Sequence, residues 1–157
     1  VLMIPDEYLA QYVQTKIDKK ILTWKGHCEV HERFTPEDIA KFRAENENIV
    51  VLAHPECPPE VIAASDYTGS TAQMIDYVEQ KRPPKVVLIT ECSMSDNVQA
   101  ANPDVELIRP CQLCPHMKRI SLPKILKALQ TLEPRVKVDP DIAIRARKAI
   151  DRMLELS

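Results

Sequence analysis

The chain has 157 residues, which predicts one domain or slightly more and suffices for a hydrophobic core. Its composition, 45% hydrophobic and 28% charged, is that of a folded globular protein and excludes extended disorder. The net charge of −2 argues against a nucleic-acid partner bound through bulk positive charge. Apolar runs such as Val86–Ile89 are far too short for a membrane span, and two glycines exclude a glycine-rich phosphate loop.

Short apolar runs alternate along the chain with segments of helical periodicity. A helix is predicted from Pro5 to Lys16, and the run Ile21–Trp24 predicts a buried strand. The remaining elements are predicted, in chain order, as a helix from Thr35, a strand at Ile49–Ala53, a helix from Pro58 to Ser65, a strand at Asp66–Thr68, a helix from Thr71 to Lys81, a strand at Val86–Thr90, a helix from Ser93 to Ala101, a strand at Val105–Ile108, and helices from Met117 to Leu132 and from Pro140 to Leu154.

Two of these helices carry more detailed expectations. Thr35 is expected to cap its helix, with Pro36 in the first position and Asp38 completing a short-armed capping box. The helix from Met117 to Leu132 is expected to bury one apolar face, made of Ile120, Ile125, Leu126 and Leu129.

The predicted strands are continuous apolar runs, and each is followed by a helix. Continuous apolar strands are typical of a parallel sheet covered on both faces. The sequence therefore predicts an α/β fold of the three-layer αβα, Rossmann-like kind, with a short parallel sheet.

Polar and reactive residues follow the predicted strands. In open α/β sheets, ligands bind outside the carboxyl ends of the strands. We therefore expect one edge of the sheet to gather the residues at those ends, which are Cys28, His31, His54, Glu56, Ser70, Thr71, Glu91, Cys111 and Cys114.

The pair Cys111-Gln-Leu-Cys114 has the spacing of a metal or redox site. Zinc, an iron–sulfur cluster, a redox disulfide and two ordinary thiols all stay open on spacing alone. A zinc site would need further ligands, for which Cys28, His31 or His116 are available. Two other cysteines, Cys57 and Cys92, are expected to be small buried hydrophobes.

Two further motifs suggest binding and acid–base chemistry. Ser70 and Thr71 stand at the start of a helix whose free N–H groups suit a phosphate or carboxylate, although a plain Ser/Thr helix cap is much the commoner use of such residues. His54-Pro55-Glu56 places an imidazole and a carboxylate on a constrained turn. Glu56 is a candidate general base or partner of a cationic imine, and His54 a candidate donor to a carboxylate. The alternative is that both residues only shape the loop.

Taken together, the motifs resemble those of quinolinate synthase, the iron–sulfur enzyme of bacterial NAD biosynthesis. The resemblance covers essentially the whole chain, and it is carried by Gly26-His27-Cys28-Glu29-Val30-His31-Glu32-Arg33-Phe34, Val51-Leu52-Ala53-His54-Pro55-Glu56-Cys57, Gly69-Ser70-Thr71, Thr90-Glu91 and Cys114-Pro115-His116-Met117.

The resemblance implies a fold of three similar αβα domains in a pseudo-symmetric arrangement around a central cleft. On this basis, residues 1–20 finish a preceding domain, 21–108 form an α/β domain, and 109–157 form a C-terminal segment with two helices. It also implies a [4Fe-4S] cluster held by Cys28, Cys114 and a third cysteine outside this chain, with Cys57, Cys92 and Cys111 not ligating. Since the chain starts at Val1 and lacks the family's first ligand, we expect an N-terminally shortened enzyme that is inactive alone.

The implied activity is that of a transferase that condenses iminoaspartate with dihydroxyacetone phosphate to quinolinate, phosphate and water, the cluster acting as a Lewis acid. Glu56 and His54 are the implied catalytic residues, and Pro55, Ser70 and Thr71 complete the substrate site. A transient aspartate oxidase partner and a cytoplasmic location are also expected. The alternatives are a metal-binding or regulatory module built on Cys111 and Cys114, and a flavodoxin-like ligand-binding domain without chemistry.

Overall fold

The structure is a computed structural model that describes residues 1–110 and 112–156. In these residues the strands are β1 (Leu2–Met3), β2 (Leu22–Thr23), β3 (Val50–Ala53), β4 (Tyr67–Thr68), β5 (Lys85–Ile89) and β6 (Glu106–Ile108). The helices are α1 (Glu7–Gln14), α2 (Pro36–Glu45), α3 (Pro59–Ala64), α4 (Thr71–Lys81), α5 (Ser93–Ala101), α6 (Leu122–Thr131) and α7 (Pro140–Leu156), with 3₁₀ turns at His31–Arg33 and Met117–Arg119.

The central sheet has four strands in the order β4-β3-β5-β6, and every neighbouring pair is parallel. The longest pairing joins β3 to β5 and runs from Val50 opposite Val86 to Ala53 opposite Ile89. A parallel sheet with helical connections is what the continuous apolar strands predicted, so the predicted α/β fold class is confirmed.

Both faces of this sheet are covered, because alternate residues of β3 and β5 enter different core clusters. Val51 and Val87 pack on one side with residues of the 3₁₀ turn region, α2 and α3, including Val30, Ile39 and Val61. Leu52 and Leu88 pack on the other side with residues of α4 and α5, including Met74, Val78 and Val98. The result is the predicted three-layer αβα arrangement.

Side-chain caps set the first residues of α2 and α4. Thr35 caps α2, and Asp38 returns a hydrogen bond to the Thr35 backbone, so the predicted capping box is confirmed. Ser70 and Gln73 form the same reciprocal pair at the start of α4. Each pair satisfies N–H groups that a helix start leaves without intrahelical partners.

The prediction of a buried strand at Ile21–Trp24 is wrong in its burial. The strand is only Leu22–Thr23; Leu22 and Trp24 are exposed. It does not join the central sheet but pairs with β1, a two-residue strand that was not predicted. Within the described residues, a two-stranded ribbon has no second layer packed on it that could cover an apolar side chain. Leu22 and Trp24 are therefore exposed although they are apolar.

Two helix predictions also need correction. The first helix starts at Glu7 rather than Pro5, because the Asp6 side chain caps it by accepting from the Leu9 N–H. The helix expected from Met117 is a 3₁₀ turn followed by α6, which begins at Leu122 because Pro123 fits a helix only in its first turn. The apolar residues expected to be buried there, Ile120, Ile125, Leu126 and Leu129, are all exposed.

The chain divides into two compact units, one spanning Val1–Pro115 and one beginning at His116. The first contains the central sheet and the residues discussed below, and the second contains α6 and α7. Among the described residues, no helix combines the length and apolar character needed to cross a bilayer.

Candidate functional site

The carboxyl ends of β3 and β5 place two chain segments side by side. Ala53 lies opposite Ile89 at the last paired position, and the His54 N–H donates to the Ile89 carbonyl at 3.2 Å. The residues that follow, His54 and Glu56 on one strand and Thr90 on the other, therefore leave the sheet at the same edge.

A hydrogen-bonded chain links these segments through His31. Nδ1 of His31 lies 3.0 Å from Oε2 of Glu56, and Nε2 lies 2.9 Å from Oγ1 of Thr90. The His31 side chain is 8% exposed and that of Glu56 25%, so the pair is shielded but the carboxylate still reaches solvent. The 3₁₀ turn His31–Arg33, which starts three residues after Cys28, supplies the imidazole.

The charge state of Glu56 fixes the direction of these bonds. Its hydrogen bond with His31 lowers the pKa of the carboxyl group, against the opposing effect of burial. An ionised carboxylate only accepts hydrogen bonds, so Nδ1 of His31 carries a proton and donates it. In the neutral imidazole Nε2 is then an acceptor, and the Thr90 hydroxyl donates to it.

His54 stacks on His31 and is held neutral. The ring centroids lie 4.4 Å apart with an angle of 10° between the planes. Burial, together with the positive charge that His31 carries when protonated, lowers the pKa of His54 to about 4. The Glu56 backbone N–H donates to Nδ1 of His54 at 3.3 Å, which leaves Nε2 as the protonated nitrogen of this ring.

A cleft of about 200 Å³ lies beside this group and is lined by Pro5, Asp6, Trp24, Gly26, His27, Cys28 and Glu56. Gly26 is required by close packing: a Cβ atom there would lie 2.6 Å from the Pro5 carbonyl oxygen. Its own carbonyl accepts from the Glu7 N–H at 2.8 Å, so the loop before Cys28 is tied to the start of α1. The cleft thus joins a thiol and a carboxylate in one solvent-accessible space.

The cysteines fall into two groups. Cys28 and Cys114 are both half-buried and pack against the same core cluster, the one containing Val51 and Val87. Cys57 is fully buried, and burial raises its pKa to about 12, as fits the small hydrophobe that was predicted. Cys92 is only half-buried, so the prediction that it is a small buried hydrophobe is wrong in its burial. The predictions that concern Cys111 lie outside the described residues.

Two kinds of metal centre are compatible with these donors. The ligand atoms of Cys28, His31 and Glu56 all lie within 4.8 Å of one another, which would suit a single ion. Both His31 nitrogens already have partners, however, so an ion there would have to break the bond to Glu56. Sulfur is the donor that iron–sulfur clusters take, so the half-buried thiols of Cys28 and Cys114 fit such a cluster.

The predicted anion site is built around a helix start. Ser70 and Thr71 are exposed, and the Ser70 hydroxyl oxygen accepts from the Gln73 N–H at 3.3 Å. This bond and the one from the Ser70 N–H to Gln73 join Ser70 to its own helix rather than to His54 or Glu56. The anion-binding role of Ser70 and Thr71 therefore stays a prediction.

The hydrogen bonds that join His31 to Glu56 and Thr90 were not predicted from the sequence motifs. His31 was expected at the sheet edge and considered as a zinc ligand, and Thr90 was quoted as part of a motif, but neither was predicted to bond the other or Glu56. The available signal was position: Thr90 and His54 directly follow the apolar runs that form β5 and β3, which the structure pairs.

Comparison with known proteins gives consistent matches along the chain. Residues 1–155 match the family model described as quinolinate synthetase A protein. The chain is 58% identical to quinolinate synthase 2 of Mesorhizobium japonicum over 154 residues, which is 98% of this chain and 48% of that protein. It is 58% identical over 156 residues to a quinolinate synthase of Agrobacterium fabrum, which is 99% of this chain and 45% of that protein. The chain spans about half the length of the curated relatives it matches.

The low pKa of His54 predicts a specific dependence of stability on pH. The pKa is about 4 in the fold and 6.5 when the ring is exposed, so protonation favours the unfolded state. The contribution of neutral His54 is complete above pH 6.5 and is lost as the pH falls from there towards 4. Glu56, whose pKa is lowered from 4.5, loses its contribution only at still lower pH.

We expect the urea midpoint of the wild-type protein to fall between about pH 7 and pH 5, and to fall less in His54→Gln. His116→Gln, a change at an exposed histidine, is the matched control and should follow the wild type. Parallel curves for His54→Gln and the wild type would show that His54 titrates normally in the fold.

Proposed function

The chain belongs to the quinolinate synthetase A family, and from this premise we propose that it supplies half of a quinolinate synthase active site. In this reaction iminoaspartate and dihydroxyacetone phosphate combine to give quinolinate, phosphate and two molecules of water. The observation that supports the proposal most strongly is the series of hydrogen bonds from Thr90 through His31 to Glu56. These bonds hold a carboxylate beside Cys28 at the edge of the sheet.

Cys28 and Cys114 are the proposed ligands of a [4Fe-4S] cluster, with a third cysteine supplied from outside this chain. When bound, such a cluster with one iron free of protein ligands supplies a Lewis acid for substrate oxygen. The half-buried position of both thiols supports this role, since a ligand must be shielded from solvent yet reachable by substrate.

Glu56 is the proposed proton acceptor, or the partner of the imine nitrogen. Formation of the pyridine ring requires loss of a proton next to an imine, and the lowered pKa keeps Glu56 ionised at neutral pH. His31 fixes the carboxylate by donating to Oε2. Because His31 is itself held by Thr90, the carboxylate needs little reorganisation when substrate binds.

His54 is the proposed donor to a substrate carboxylate or hydroxyl. The Glu56 backbone N–H occupies Nδ1, so the proton of the neutral ring lies on Nε2 and is available to an acceptor. Pro55 keeps His54 out of the helical region and so sets the separation of the two side chains.

Ser70 and Thr71 are the proposed holders of an anionic substrate group, either phosphate or carboxylate. The start of α4 offers backbone N–H groups and the positive end of the helix dipole. The oxygen of Ser70 accepts from Gln73, and its hydroxyl hydrogen is free to donate to an anion while the cap stays intact.

A single metal ion bound by Cys28, His31 and Glu56 is the second candidate, favoured by the short distances between the three donors. It would make the chain a metal-binding module instead of a cluster enzyme. The two candidates differ in acid-labile sulfide, which only a cluster contains.

The chemistry of the substrates also suggests where the protein works. Iminoaspartate is an imine that water hydrolyses, so it must be supplied close to its point of use. We propose an aspartate oxidase as a transient partner that supplies this imine, and the cytoplasm as the location of the protein. We expect no nucleic-acid or membrane partner.

The cysteine assignment predicts the iron and sulfide content of variants of the full-length protein. Cys28→Ala and Cys114→Ala should each prevent assembly of a complete cluster during anaerobic reconstitution, because each removes one thiolate ligand. Cys57→Ala is the matched control and should keep wild-type content, since Cys57 lies in the core. Full iron and sulfide in either ligand variant would disprove that assignment.

The anion-site assignment predicts a change in substrate binding. Thr71→Ala in the full-length enzyme should raise KM by about 10-fold, the effect of one lost hydrogen bond to a charged group, with cluster content unchanged. The control is Thr131→Ala, whose hydroxyl donates to the Lys127 carbonyl within α6. Unchanged kinetics for Thr71→Ala would identify Ser70 and Thr71 as a helix cap alone.

The role of Glu56 predicts a loss of turnover. Glu56→Gln is nearly isosteric and can still accept from His31, so it removes charge and basicity while preserving packing. We expect kcat to fall by about 100-fold or more with iron and sulfide unchanged. Turnover within a few-fold of wild type, measured on protein with its cluster intact, would transfer the role of base to a residue outside this chain.

A further inference from the structure

Asp6 is a buried carboxylate that binds two backbone N–H groups at once. Its Oδ1 accepts from the Leu9 N–H at 2.7 Å and so caps α1. Its Oδ2 accepts from the Cys28 N–H at 2.9 Å, across 22 residues of sequence. The side chain therefore joins the backbone of Cys28 directly to the start of a helix.

Glu91, which follows β5, makes a similar pair of contacts. Its Oε2 accepts from the Ser93 N–H at 2.8 Å, at the first residue of α5. Its Oε1 faces the Cys114 N–H at 3.4 Å, the longest of these contacts. A backbone bond of 2.9 Å from the Cys92 N–H to the Gln112 carbonyl holds the same two segments together.

Helix capping alone does not explain these two carboxylates. Thr35 and Ser70 cap α2 and α4 with hydroxyl groups near the surface, whereas Asp6 and Glu91 are buried, with 3% and 9% of their surface exposed. Burying a carboxylate costs free energy, and negative charge near a thiol also opposes its ionisation. The second oxygen, which bonds the cysteine backbone, is what the hydroxyl caps lack.

We propose that Asp6 and Glu91 are positioning residues that fix the backbones of the two cluster cysteines before a cluster is bound, an inference that rests on the proposed function. Each side chain anchors the backbone of a loop cysteine to the start of a helix. The loss of backbone freedom on binding is thereby reduced, and a ligand that dissociates is held close to its place.

The geometry explains why a carboxylate is needed. Each residue faces two N–H groups in different segments, and only a carboxylate presents two acceptor oxygens on so short a side chain. An amide would turn an NH₂ group towards one of the two N–H donors. A hydroxyl would serve the helix but would not reach the cysteine.

This difference allows the two functions of Asp6 to be separated by experiment. Asp6→Ser preserves a good helix cap and removes the acceptor for Cys28. Glu91→Gln removes one of the two acceptors at the second site. Asp38→Asn is the control, since it alters a helix-capping carboxylate that bonds Thr35 instead of a cysteine.

In the full-length protein with its cluster reconstituted, we expect Asp6→Ser and Glu91→Gln to lose iron to a chelator at least about 10-fold faster than wild type. Asp38→Asn should lose iron at the wild-type rate. Far-UV circular dichroism verifies that the variants are folded. Wild-type rates in folded Asp6→Ser and Glu91→Gln would overturn the inference, while absence of iron and sulfide from the wild type would overturn the proposed function itself.

Amide hydrogen exchange of the wild-type protein tests the same bonds without a variant. The Cys28 and Cys114 amides should both be protected in the metal-free protein, because their acceptors are buried side chains. Exchange at the rate of an open loop at both amides would also overturn the inference.

Discussion

The pairing of β3 with β5 is the constraint on which the rest of the site depends. It sets Ala53 level with Ile89, so the segments that follow the two strands leave the sheet together. Glu56 comes from one segment and Thr90 from the other, and the distance between them is bridged by His31. A change of register by one residue would separate these partners and turn the core residues of β3 to the opposite face.

The hydrogen bonds around His31 all run in compatible directions. When His31 is neutral, Thr90 donates to His31, His31 donates to Glu56, and the Glu56 backbone donates to His54. Two stacked imidazoles are tolerated because His54 stays neutral, its pKa lowered by burial and by the positive charge that His31 carries when protonated. The outcome is an ionised carboxylate and a neutral ring donor, both held in fixed orientations by these contacts.

Local patterns in the sequence predicted the strands of the sheet and the polar residues that follow the carboxyl ends of these strands. Caps such as Thr35 and apolar runs such as Val86–Ile89 are local signals, and the structure follows them. Burial was harder to predict: Leu22 and Leu129 are apolar but exposed. A side chain is buried only where another element packs on it, and the periodicity of a segment does not show which element that is. The bonds of His31 to Glu56 and Thr90 were equally invisible, since they join residues 25 and 59 positions apart.

The central claim is that this edge holds a cluster through sulfur while His31 stays bonded to Glu56. An anomalous difference map at the iron absorption edge, from crystals of the reconstituted full-length protein, tests it most directly. We expect iron density joined to the sulfur atoms of Cys28 and Cys114, with Nδ1 of His31 still bonded to Glu56. Iron density ligated by Cys28, His31 and Glu56, and remote from Cys114, would contradict it.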